Sequence, residues 1–277
     1  RYHIEEQMGW SSDEAWENSL RDVLALQSLY DALGRQANPE IRKALNLQRF
    51  FSEDMSDLTT YLPVPVRKVF GDVQRVGNKN SEPDYADLTE LLRSKEEQSK
   101  SILLVAGSGA GKTVAARKAF HDCLVIPPGQ TSPVLGDYLP VWINSATPVN
   151  WDSIDQNHFL IERLILNACG LNTLSLEGLQ CCLEHPKLKL LLFFDLNSWD
   201  PDDQNKIAQE LPKFLRRYVS GQNQPVGHRA VVAFRSSTIE ESGPRQQLMN
   251  SAEFSAYDLD PLMPREAERY LRNIREF

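Results

Sequence analysis

A short apolar run, SILLVA (101–106), passes without a break into AGSGAGKT (106–113) and then into a helical pattern, VAARKAFHDCL (114–124). Strand, glycine-rich turn and helix in this order constrain the chain more than any other stretch, because each part gives the next its role. Gly107, Gly109 and Gly111 let the backbone turn its N–H groups inward, through conformations that a side chain obstructs. N–H groups converging at a helix N-terminus form an anion site. Lys112 adds a point charge suited to β- and γ-phosphates, and the Thr113 hydroxyl is an oxygen ligand for Mg²⁺. The candidate nucleotide contacts are Ala106, Gly107, Ser108, Gly109, Ala110, Gly111, Lys112, Thr113 and Val114. The usual pattern begins with Gly where this chain has Ala106, a tolerant position that precedes the tight wrap.

The texture around this loop specifies the sheet that holds it. Apolar runs recur at 137–143 (DYLPVWI), 189–194 (KLLLFF), 229–234 (RAVVAF) and 256–260 (AYDLD). Helical stretches lie between them, near 112–124, 152–169 and 202–219. Apolar strands alternating with amphipathic helices predict a parallel sheet covered on both faces. The expectation is an α/β fold with a five-stranded parallel sheet, the three-layer sandwich of a P-loop NTPase, over residues 81–277.

Two strand ends complete the chemistry. A phosphate loop needs an acidic partner at the end of a nearby strand to hold the metal's water shell. LKLLLFFD (188–195) supplies it in Asp195, so Thr113 and Asp195 are the expected metal contacts. RAVVAF is followed by Arg235, which at the carboxyl edge of the sheet shares the phosphate crevice and is placed to tell ATP from ADP. A guanine reader of the NKxD type is missing: Asn78-Lys79 precedes the loop and lacks the Asp. Adenine is therefore the expected base, with ATP or ADP and Mg²⁺ as the cofactors.

Residues 1–80 read differently. Ser11 and Glu14 fit a capping box, and Trp16, Leu20, Val23, Leu24, Tyr30 and Leu33 follow at helical spacing to Gly34. A second helix starts at Asn38-Pro39 and carries Ile41, Leu45 and Phe50. YLPVPVRKVFGDV (61–73) is extended or looping, because its prolines block a helix, and the turn-rich GNKNSEPD (77–84) marks the linker. The expected organisation is a helical N-terminal region with linker over 1–80, then the nucleotide domain over 81–277.

Bulk properties narrow the functional classes. The 277 residues are 41 % hydrophobic and 25 % charged, ordinary for a globular chain. A net charge of −8 argues against a dedicated nucleic-acid binder, which needs a basic surface. No apolar run approaches the ~18 residues of a membrane span. Four cysteines without a framework spacing suit a reducing compartment, and we expect a cytoplasmic setting. The five histidines show no metal-site spacing; Cys181, Cys182 and His185 sit close together on an expected helix, where a metal site is the minor reading and small buried hydrophobes the main one, and the clusters RKVF and FLRRYV read as solvated faces. The chain opens on Arg1 and closes inside a helical pattern, REAERYLRNIREF, so we expect a fragment of a longer protein.

In order and spacing these elements resemble the NACHT group of the STAND class of signalling NTPases. SILLVAGSGAGKT resembles its Walker A, KLLLFFDLNSWD its Walker B, AVVAFRSS its sensor strand, and FSAYDLDPLMPREAERYL its closing strand and helix. The resemblance implies an ATP-controlled switch with slow hydrolysis, self-association of the full-length protein, and a role in defence or cell-death signalling. It also implies lid and sensor domains beyond residue 277. One departure stands out. The family usually places a second acid after the Walker B Asp, whereas Asp195 is followed by Leu196, Asn197, Ser198 and Trp199, and Asp200 is the nearest carboxylate. Lys112, Asp195, Arg235 and Asp200 are the candidate catalytic residues, with slow turnover expected. Two other readings remain at this point: an AAA-like remodelling ATPase, and an interaction module whose nucleotide pocket is degenerate.

Overall fold

The computed structural model describes residues 64–69, 83–107, 110–124, 131, 134–145, 159–169, 175–184, 188–218, 227–235 and 243–260. The helices expected within 1–60 lie outside the described residues, as do Ser108 and Gly109.

Described in chain order, the elements are β1 (Val66–Lys68), α1 (Leu88–Arg93), β2 (Ser101–Ala106), α2 (Lys112–Asp122), β3 (Leu139–Ile143) and α3 (Leu160–Ala168). They continue with α4 (Leu176–Glu184), β4 (Leu190–Asp195), α5 (Pro201–Arg217), β5 (Arg229–Arg235), α6 (Pro244–Met249) and β6 (Phe254–Leu259). The strands form one sheet in the order β1-β6-β2-β5-β4-β3. Every neighbouring pair is parallel except β1 with β6.

The sheet is a mostly parallel α/β sheet of six strands, one more than the sequence led us to expect. The addition is β1, from the proline-containing stretch at 61–73. Pro63 and Pro65 exclude a helix there but leave Val66, Arg67 and Lys68 free to pair with Leu259, Asp258 and Tyr257. This strand precedes residue 81, where we placed the start of the nucleotide domain, and still belongs to the same sheet.

Alternation along the strands explains how both faces are covered. Leu103 and Val105 of β2, Leu190, Leu192 and Phe194 of β4, and Ala230, Val232 and Phe234 of β5 pack in one cluster with α3, α4, α5 and α6. Their sequence neighbours Ile102, Leu104, Leu191, Phe193 and Val231 pack in a second cluster with α1 and α2. In a strand, successive side chains point to opposite faces, so a continuously apolar strand is one buried on both. All six residues of β2 are buried. On the α2 face, Phe120, Trp142 and Phe193 meet with ring centroids 5.6–5.8 Å apart and tie α2 to β3 and β4.

Polar anchors hold the amino ends of the strands. Arg229 is 2 % exposed, and its guanidinium donates to the carbonyls of Lys100 (2.8 Å), Leu92 (2.9 Å) and Glu97 (3.1 Å). It thereby fastens the turn between α1 and β2 to the base of β5. The two basic clusters are largely paired. Arg67 bonds Asp260, Lys68 bonds the buried Glu97, and Arg217 bonds the buried Glu162. No helix among the described residues is long and apolar enough to cross a membrane.

Candidate functional site

The glycine-rich loop expected to bind phosphate opens at the carboxyl end of β2, the strand flanked by β5 and β6. Gly111 is the N-cap of α2, with φ 86° and ψ 10°, a left-handed conformation that favours glycine. From there the first helical bond forms, with the Ala115 N–H donating to the Gly111 carbonyl at 2.8 Å. Gly107 differs from it. Its φ is not positive, and a Cβ placed on it would meet nothing within 4 Å, so packing within the chain does not require a glycine there. Ala106 is buried at the strand end, Ala110 packs against the α2-side core, and Val114 is 39 % exposed in the first turn of the helix.

Lys112 is 6 % exposed. Its ammonium donates to the carbonyls of Ala106 and Gly107, both at 2.6 Å. The charge is thus held over the loop by the loop's own backbone. Next to it, the Thr113 hydroxyl donates to Asp195 Oδ2 at 3.0 Å. This contact joins residues far apart in sequence, and strand order is what brings them together. β4 is separated from β2 by β5, and the registers set Asp195 level with Ala233 and Ala106 level with Arg235. Arg235 therefore ends β5 directly beside the start of the loop; its side chain lies outside what is described.

A hydroxyl and a carboxylate at this separation are hard oxygen donors of the kind Mg²⁺ takes, with water and phosphate oxygens filling its other positions. Among the described residues no group of three or more His, Cys, Asp or Glu side chains stands together as a metal cage. Thr113 and Asp195 are the pair that would hold a nucleotide-borne metal.

Beyond Asp195 the chain makes one 3-10 turn, Leu196–Ser198. The Ser198 hydroxyl donates to the Asp195 carbonyl at 2.7 Å and accepts from the Ser145 N–H at 3.2 Å, fixing the turn to the end of β3. Leu196 is fully buried in the α5-side core. The position after Asp195 therefore faces the core, where a carboxylate would be desolvated. Asp200 serves the fold instead. It caps α5, accepting from the Asp203 N–H at 3.0 Å. That N–H holds the Asp200 carboxyl below the usual range, while burial and the neighbouring Asp200 push Asp203 upward. A carboxylate engaged this way is a weak base.

The structure thus joins Lys112, Thr113 and Asp195 at one strand edge, sets the Arg235 backbone beside them, and gives Asp200 to a helix cap. Sequence reasoning missed Asp258. It lies near the end of β6, on the other side of β2, where Tyr257 is level with Leu104, and its charge acts on Lys112. An acid in AYDLD was visible in the sequence, but nothing local showed that β6 adjoins β2. No protein-family model matches the chain, and comparison with curated proteins finds no match.

Proposed function

We propose that the chain binds ATP or ADP with Mg²⁺ at the β2–α2 loop and acts as a nucleotide-controlled signalling switch of the NACHT/STAND type. The observation that carries the reading is the Thr113–Asp195 hydrogen bond at 3.0 Å, which unites the two motifs at one sheet edge. A six-stranded sheet with helices on both faces and the phosphate loop at the carboxyl end of a central strand supports the three-layer P-loop NTPase plan.

In this mechanism the backbone N–H groups around Gly111 and the start of α2 receive the phosphates. Lys112 leaves the Ala106 and Gly107 carbonyls for phosphate oxygens, and Arg235 reads the terminal phosphate. Thr113 and Asp195 would hold the metal, which when bound would supply charge neutralisation at the phosphates. With Leu196 in the core and Asp200 capping α5, no carboxylate next to Asp195 positions the attacking water, so turnover is slow. Binding then sets the state: the γ-phosphate favours one arrangement over the other through contacts that ADP lacks. Self-association of the full-length protein in the cytoplasm, in defence or cell-death signalling, is the corresponding output.

The test is calorimetric titration of ATP, ADP and GTP with Mg²⁺ into the chain and into Lys112→Ala. Adenine nucleotides binding the parent and not the variant is the expected result. Equal binding by both proteins, or preference for GTP, would sink the reading.

A further inference from the structure

Two arginines at opposite ends of the sheet are treated in opposite ways. Arg229, at the amino end, commits its guanidinium to three backbone carbonyls and stacks over the Tyr138 ring, a structural anchor with its donors used. Arg245, at the start of α6, has Nε and Nη2 buried without a hydrogen-bond partner. Buried donors of a charged group are paired in the great majority of structures, so an unpaired set calls for an explanation.

Its surroundings supply one. The chain between β5 and β6 carries α6, and α6 packs on β6 and α5. The charge of Asp258 acts on Arg245 and also on Lys112. Asp258 lies one residue beyond Tyr257, which is level with Leu104 of β2, so it stands beside the last residues before the loop. Its cross-strand neighbour Arg67 is already ion-paired with Asp260 at 2.5 Å. Desolvation raises the Asp258 carboxyl above the ordinary range, against the pull of the Leu259 N–H, and the charge of Asp260 raises it further, against Lys112 and Arg245. The charge of one carboxylate near the end of β6 thus acts on both the loop lysine and a guanidinium with unused donors.

We propose that Arg245, at the start of α6 and in the field of Asp258, is a further cationic contact for the terminal phosphate of a bound nucleoside triphosphate, distinguishing triphosphate from diphosphate. This rests on the nucleotide reading above. When the nucleotide binds, the phosphate takes over from Asp258 as the anion facing Arg245, and the unused N–H groups gain acceptors. Asp258 competes with the phosphate for the same cations, so it weakens binding.

Mg²⁺-ATP and Mg²⁺-ADP are titrated into the chain, Arg245→Met and Asp258→Asn, and the melting temperature of each nucleotide-free protein is recorded. Arg245→Met is expected to lower ATP affinity about tenfold, the loss of one charge-assisted contact, while ADP affinity stays within about twofold. Its melting temperature is not expected to fall, because the methionine removes unpaired buried donors and keeps the apolar stem. Asp258→Asn is expected to raise ATP affinity a few-fold. An Arg245→Met protein that binds ATP as the parent does, loses ATP and ADP equally, or melts lower as a structural arginine would, overturns the proposal and leaves the nucleotide reading standing. A parent chain that binds neither nucleotide overturns both.

Discussion

At His228 the neutral imidazole has one donor and one acceptor, and the fold uses both. The Leu190 N–H donates to Nδ1 at 3.0 Å, and Nε2 donates to the Leu183 carbonyl at 2.9 Å, bridging α4 to the start of β4. Burial pushes the ring from 6.5 down to about 4. Above the unfolded value the ring is neutral in both states and the stabilisation is fully present. Between 6.5 and about 4 the unfolded chain binds a proton that the folded chain refuses, so stability falls as pH falls. The expected loss at pH 5 relative to pH 7 is about 2 kcal/mol, checked by urea unfolding at the two values. His228→Gln should shrink that difference, and an undiminished pH dependence in the variant would count against His228 as its source. Asp195 supports a second residue-scale prediction. Asp195→Asn keeps an acceptor for Thr113 but loses the charge, so the Mg²⁺-dependent part of ATP affinity should drop about tenfold, as seen by titration with and without EDTA.

Among the elements, the strands that read best were those whose signal is local. β2, β4 and β5 are continuous apolar runs with an identifiable end, and Asp195 was legible because it stops one of them. The strand, turn and helix around 106–113 were legible for the same reason, since their residues are consecutive. β1 was read as an extended or looping stretch, because three residues behind two prolines carry no periodicity and are fixed by β6. The insertion of β5 between β2 and β4 was not legible at all, being a property of pairing. Arg229 shows the same limit. It reads as a charged residue ahead of a strand, yet the carbonyls of α1 and the following turn make it a buried anchor. Arg229→Met should cost about 2–4 kcal/mol in denaturant unfolding, through carbonyls left without donors. A loss below about 0.5 kcal/mol would mean that the turn finds other donors.

For the molecule as a whole, the sheet reaches beyond the domain as the sequence delimits it. Val64 and Val66 are 8 % and 0 % exposed, packed with α1, α2 and β6. A chain beginning at Ser81 would lose them and leave the β6 edge unpaired. We expect such a chain to be about 3 kcal/mol less stable, from the burial of two valines, and more prone to self-association. Matching unfolding midpoints and matching light scattering for the long and short chains would refute this. The slow hydrolysis proposed above would also be a whole-molecule property. The turn that buries Leu196 and the cap that engages Asp200 are part of how α5 joins the sheet, so an acid introduced at Leu196 should lower stability before it raises turnover.

The position of β2 has a consequence for how the chain is made. Its two strand neighbours are β5 and β6, which lie toward the end of the sequence. During synthesis, this strand, buried along its whole length in the finished fold, and the glycine-rich loop after it leave the ribosome long before either partner exists. Until residues 229–259 emerge, β2 offers two open edges to any other nascent chain. Asp195 likewise has no fixed distance from Thr113 until β5 slides between their strands. Under the reading proposed above, a nucleotide would meet a finished site, as a late ligand and not as a template for assembly, and β2 stays unprotected by its own chain in the interval.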